Sequence, residues 1–114
     1  MSADQVAEIS PGVREAIAGS ANLCATFEVA GDHSRWVQFT RGVINATYPH
    51  PEDPAARIAT LGSAVVEDYV AGQHLTVRLS LTEPRAIAQW IDRYFEQVLA
   101  AAADYSVDLS LETI

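Results

Sequence analysis

From His74 to Leu81 apolar and polar residues alternate without a break. Leu75, Val77, Leu79 and Leu81 share one face; His74, Thr76, Arg78 and Ser80 share the other. A period of two marks a strand with one face buried and one wet. Thr82-Glu83-Pro84 then stop the alternation and open a helix. Thr82 is placed to cap it, and proline suits a first turn whose N–H has no partner in any case. Ile87, Ile91, Tyr94, Val98 and Ala102 recur at helical spacing, with Arg85, Gln89, Asp92, Arg93 and Glu96 opposite. The pattern predicts a helix from Pro84 to Ala103, closing over the leucine face of the strand. Trp90 and Phe95 flank its apolar stripe and read as a widened core side more readily than as a contact with a second copy.

The rest of the chain falls into shorter units. Val6, Ile9, Val13 and Ile17 keep helical spacing. Ser10-Pro11 reads as a cap and first-turn proline, so the first helix is expected over Pro11–Ala18, with a short helical lead or loose arm before it. Leu23–Val29 reads as a strand with Leu23, Ala25, Phe27 and Val29 inward. Ala30–Ser34 reads as a turn cluster. Arg35–Thr40 follows as a strand with Val37 and Phe39 inward. Arg41-Gly42 allows a tight hairpin into Val43–Tyr48. Either face of that third strand could be buried; Ile44, Ala46 and Tyr48 are favoured. Three prolines from Pro49 to Pro54 make a stiff loop. Asp53-Pro54 then starts a short helix over Ala55–Leu61. Val65–Val70 reads as the strand before the opening one. Val107, Leu109 and Leu111 alternate with Asp108, Ser110 and Glu112 as a last short strand or an extended tail on the body.

Strands joined by short links pair antiparallel, and clean alternation places helices on one face. The expected fold class is therefore α+β: one two-layer domain over residues 1–114, in the order α-β-β-β-α-β-β-α, with a possible short C-terminal strand.

Composition narrows the function classes. The chain is 49% hydrophobic over 114 residues, enough for one real core. No apolar run nears the roughly 18 residues of a membrane span. The first residues lack a signal peptide's basic start and apolar stretch, so a cytoplasmic protein is expected. The single cysteine, Cys24, agrees, since it cannot close a disulfide within the chain. A formal charge of −8 argues against nucleic-acid binding and suits a basic partner. All seven cations are arginine, which with the alanine excess fits a GC-rich bacterial genome.

The order of elements from Pro11 to Ala103 resembles the type III secretion chaperone-like fold. The resemblance rests on Phe27–Val29, Trp36–Tyr48, Leu75–Leu81 and the amphipathic helix after Pro84, and on no sequence signature. It implies a homodimer that binds an extended segment of another protein, without cofactor or catalysis. The proline loop and the alternating tail from Val107 to Ile114 depart from that fold.

Candidate chemistry is sparse. His33, His50 and His74 have no metal-ligand spacing with each other or with Cys24, so no metal site is expected. His33 and His50 read as loop residues and His74 as a solvated strand position. Cys24 lacks a nucleophile motif and reads as a small buried hydrophobe. Glu67 and Asp68, adjacent on a strand, could enter one site only across a bulge. No catalytic residue and no cofactor is assigned. The outward sheet face is more informative: Cys24, Thr26, Glu28, Trp36, Gln38, Thr40, His74, Thr76, Arg78 and Ser80. An outward tryptophan is favoured at binding hot spots. Trp36, framed by Gln38, Arg78 and Glu28, is therefore the candidate partner-binding site. The competing reading covers Trp36 with Arg78 or with the tail at Val107–Leu111. The leading expectation is a non-enzymatic protein-binding module. An immunity-type inhibitor of a basic toxin and a small-molecule pocket near Tyr48, His50 and His74 are the alternatives.

Overall fold

The computed structural model describes residues 3–113. Helix α1 (Ala3–Ala18) precedes strands β1 (Leu23–Val29), β2 (Asp32–Thr40) and β3 (Val43–Thr47). Helix α2 (Ala55–Leu61), strands β4 (Ala64–Val70) and β5 (His74–Leu79), helix α3 (Pro84–Arg93) and strand β6 (Val107–Thr113) follow. The six strands form one antiparallel sheet in the order β4-β5-β3-β2-β1-β6. The helices pack on one face, so the fold is the expected α+β, two-layer arrangement.

Register explains which face is buried. Phe27 stands opposite Val37, Val37 opposite Ala46, and Ala46 opposite Leu75. One row down, Ala25, Phe39, Ile44 and Val77 align in the same way. All eight side chains are fully buried. The third strand buries Ile44, Ala46 and Tyr48, the favoured face. From the helix layer Ile9, Val13, Ile87, Trp90, Ile91 and Tyr94 meet them.

Four local expectations are corrected. Helix α1 runs through Pro11 from Ala3, and the Ser10 hydroxyl donates to the Val6 carbonyl (2.8 Å) instead of capping a helix. An interior proline costs about 3 kcal/mol in an isolated helix. Here Val6, Ile9, Val13 and Ala16 form one buried stripe on both sides of it, and packing overrides the break. Strand β2 begins at Asp32, so His33 lies on a strand. Helix α3 is capped by Glu83, whose carboxylate accepts from the Arg85 N–H (3.3 Å); Thr82 does not do this.

The fourth correction concerns the end of α3. The α-helix stops at Arg93, continues as a π-helical turn over Tyr94–Val98, and ends at Leu99. Ala100 adopts a left-handed φ of 54°. The wider turn buries Tyr94, Phe95, Val98 and Leu99 together. The alanines at 100–103 would continue a helix on propensity alone. The chain turns back instead because Tyr105 has a buried site to fill: its ring packs at 5.3 Å from Phe95 and its hydroxyl donates to Asp92 (2.7 Å).

The C-terminal segment is a full strand. β6 pairs with β1 over seven residues, from Leu23 opposite Thr113 to Val29 opposite Val107. Helix α1 approaches this pair closely at Gly12. A Cβ there would stand 2.7 Å from Leu109 Cδ1 and 2.8 Å from Phe27 Cε1. Gly12→Ala is therefore expected to destabilise by roughly 1–2 kcal/mol, since overpacking outweighs the gain in helix propensity. Urea unfolding measures it, and a stabilised variant would show that the contact relaxes freely.

Candidate functional site

No helix among the described residues covers the outer face of the sheet. Its side chains form three rows running from β4 to β6. The first holds Val65, Arg78, Val43, Thr40, Cys24 and Glu112. The second holds Asp68, Thr76, Asn45, Gln38, Thr26 and Ser110. The third holds Val70, His74, Thr47, Trp36, Glu28 and Asp108. Small hydroxyl and amide groups dominate the middle, where the Thr76 hydroxyl donates to Asn45 Oδ1 (2.6 Å). Such a face is wettable over β2, β3 and β5 and can also pair with a polar partner surface, whereas Cys24 and Thr26 on β1 are buried.

The candidate residues are only partly brought together. Trp36 lies opposite Glu28, with Gln38 next on the same strand face. Trp36 is half-buried, not an open hot spot. Glu28 Oε2 is 2.8 Å from His33 Nδ1, which holds the carboxylate beside the tryptophan. Arg78 does not belong to this group. It lies two strands and four residues away, roughly 16 Å by strand geometry, and it ion-pairs with Glu67 (3.0 Å). The tail does not cover Trp36 either, because β6 lies in the plane of the sheet beyond β1.

The large apolar side chains that are exposed lie at the two sheet edges. On β4 they are Val65 (68% exposed), Tyr69 and Val70; on β6 they are Leu109 and Leu111. The alternation of the tail was visible in the sequence, but its place at an edge was not.

The sheet register separates Cys24 from the histidines. Cys24 sits, buried, at one end of β1. His33 joins Glu28 at the other end, roughly 13 Å along the strand. His74 pairs with Thr47 at that same far end. His50 is structural, with Nε2 2.7 Å from the Val98 carbonyl that the π-helical turn releases. Among the described residues no group of three His, Cys, Asp or Glu side chains could hold a metal ion.

Strand β4 does carry the bulge that would bring Glu67 and Asp68 together, between Val66 and Asp68. With Asp53 they line a cleft of about 350 Å³. Asp53 is already engaged: Oδ1 accepts from the Ala55 N–H (2.8 Å) at the start of α2. A larger cleft of about 510 Å³ lies at the His50 end, lined by Asp32, Ser34, Arg35, Thr47, His50 and the turn after the π-helix. The Asp32 carboxylate there is held below its ordinary value, chiefly by hydrogen bonds from the Ser34 hydroxyl and N–H. Tyr48, expected at such a pocket, is buried instead, and its hydroxyl donates to the Glu52 carbonyl (2.8 Å). His74 faces outward on β5, away from it.

A buried polar group lies between α1, α3 and the segment before β6. Asp92 is fully buried and accepts from the Tyr105 hydroxyl. Burial pushes its carboxyl above the ordinary range; the Tyr105 hydrogen bond opposes this, and the Glu96 charge adds to it. Gln5 Nε2 donates to the Tyr105 carbonyl (2.6 Å). This group fastens the return from helix to β6.

Comparison with known protein families, with curated proteins and with solved structures finds no match to this chain. No helix among the described residues is long and apolar enough to cross a membrane.

Proposed function

We propose that this chain is a non-enzymatic protein-binding module of the cytoplasm that takes a partner protein on its open sheet. One observation carries the reading: among the described residues no helix covers one face of the six-stranded sheet, and Trp36 lies half-buried on it. The net charge of −8 suits a basic partner, whether a client to be kept soluble or a toxin to be blocked. It disfavours nucleic acid. A homodimer remains part of the chaperone-like version. The 510 Å³ cleft at His50 and Arg35 supports a second reading, a small-molecule site.

Trp36→Ala tests the first reading. In affinity capture from extracts of cells that make the protein, the wild type is expected to retain one stoichiometric partner. The variant, folded by circular dichroism, is expected to retain it at least about tenfold less well, the effect of losing a modest hot spot. Equal capture of a partner by the two would remove Trp36 from the interface, and the absence of any partner would favour the cleft.

A further inference from the structure

The free edge of β6 offers a defined set of groups to an incoming strand. The Ala30 N–H donates to the Ser106 carbonyl (2.9 Å). In an antiparallel ladder, residues turn their backbone groups alternately toward and away from the neighbour. Asp108, Ser110 and Glu112 therefore bond toward β1, while Val107, Leu109, Leu111 and Thr113 turn outward. The Val107 N–H is already taken by Glu8 Oε1 (3.1 Å). The N–H and C=O groups of Leu109 and Leu111 point to the free edge, where no strand among the described residues lies.

The side chains add a chemical pattern. Leu109 and Leu111 lie on the helix side of the sheet, yet are 41% and 42% exposed. Asp108 and Glu112 lie on the open side, and β6 carries no basic residue. Edge strands are commonly blunted by bulges, prolines or inward charges. β4 follows that rule with its bulge at Glu67. β6 does not: seven residues pair with β1 in unbroken register.

We infer that the β6 edge takes an extended segment of another protein in which apolar residues alternate with basic ones. Its apolar side chains join Leu109 and Leu111 under the sheet, and its basic side chains meet Asp108 and Glu112 above it. This rests on the protein-binding reading and adds the edge to the face at Trp36 as a second contact. A second copy of the chain is the poorer occupant. The antiparallel register that uses the whole strand places Ser110 on Ser110 and therefore Asp108 on Glu112, twice. Those residues would form non-hydrogen-bonded pairs, the closer kind, with Cα atoms about 4.5 Å apart. Like charges directly opposite destabilise a sheet, whereas arginine or lysine at those positions relieves the charge.

The probe is the heptapeptide acetyl-Val-Arg-Val-Thr-Val-Arg-Val-amide. A control has the same residues with both arginines at one end; a second control carries glutamate for arginine. Fluorescence anisotropy follows binding, and amide exchange by NMR follows the edge. The alternating peptide is expected to bind at least tenfold more tightly than either control. It is expected to protect the Leu109 and Leu111 amides, leaving those of Asp108, Ser110 and Glu112 as slow as before. Asp108→Lys with Glu112→Lys is expected to reverse the preference in favour of the glutamate peptide. Leu111→Pro removes an outward N–H at an edge, where proline is tolerated, and is expected to abolish binding; Leu111→Ala is expected to weaken it. Equal binding of the two arginine peptides would reduce the effect to general charge attraction and overturn the proposal. So would a dimer at micromolar concentration with the Leu109 and Leu111 amides already protected. A Trp36-dependent partner captured alongside a failed peptide test would overturn the edge alone; failure of both would overturn the protein-binding reading.

Discussion

Trp90→Ala is expected to cost about 3–5 kcal/mol, the usual price of emptying a large aromatic site. Trp90 is fully buried on α3, its ring stacks on Tyr94 at 5.6 Å and 18°, and its Nε1 donates to the Gly62 carbonyl (2.9 Å). That last bond ties α3 to the end of α2, where Gly62 holds a left-handed φ of 73°. A domain of this size has about 5–15 kcal/mol in total, so the loss takes a fifth or more of it and should lower the melting temperature by several degrees at least. Trp90→Phe separates packing from hydrogen bonding. It keeps most of the ring and leaves the Gly62 carbonyl without its donor, for a loss of about 1–3 kcal/mol. Chemical denaturation with tryptophan-independent detection, such as far-UV circular dichroism, measures both. A loss below 1 kcal/mol for Trp90→Ala would show that the helix layer can collapse onto the space.

Asp92→Asn is expected to stabilise the protein at neutral pH by about 1–3 kcal/mol, the cost of a poorly solvated buried polar group. Asparagine keeps an acceptor for the Tyr105 hydroxyl and carries no charge into the buried site. The effect must depend on pH. Burial raises the Asp92 carboxyl above its ordinary value of 3.8, so between the ordinary and the raised value the folded chain binds a proton that the unfolded chain has released. The stability contributed by that proton is present in full below the ordinary value and is lost as pH rises through the raised one. The gain from Asp92→Asn should therefore be smallest in acid, grow as pH rises, and then level off. Asp32 and Glu52 run the other way, because hydrogen bonds lower both. Both are common to the two proteins and cancel in the difference. Thermal or urea unfolding from pH 3.5 to 8 gives the curve. A difference that does not change with pH would show that folding leaves the Asp92 carboxyl at its ordinary value.

Residue patterns carried much of the architecture. The unbroken alternation of Leu75–Leu81 and of Leu23–Val29 identified strands and their buried faces, because a strand's side chains must alternate. Asp53-Pro54 marked the start of α2. Helix ends elsewhere were misjudged wherever a distant partner set them. Pro11 should break a helix, but the buried stripe on both sides holds the segment in one helix. The alanines at 100–103 favour helix, yet Tyr105 must reach Asp92 and Phe95, so the chain turns at Leu99.

The candidate site was less legible. Alternation correctly sent Trp36, Gln38 and Glu28 to one face. It could not say that Arg78 lies two strands away and is held by Glu67, because strand order is absent from local pattern. The alternation at Val107–Leu111 allowed a last short strand, but did not reveal its place at a sheet edge or the exposure of its leucines.

The sequence by itself determined the element types, the two-layer class and the inward face of most strands. These follow from the chain's own periodicity, which each residue shares with its neighbours. Only the tertiary structure decided the strand order, the continuous α1, the π-helical end of α3 and the free β6 edge. Each of these depends on contacts between residues far apart in the chain, whose combined burial outweighs the local preferences at Pro11 and at the alanine run.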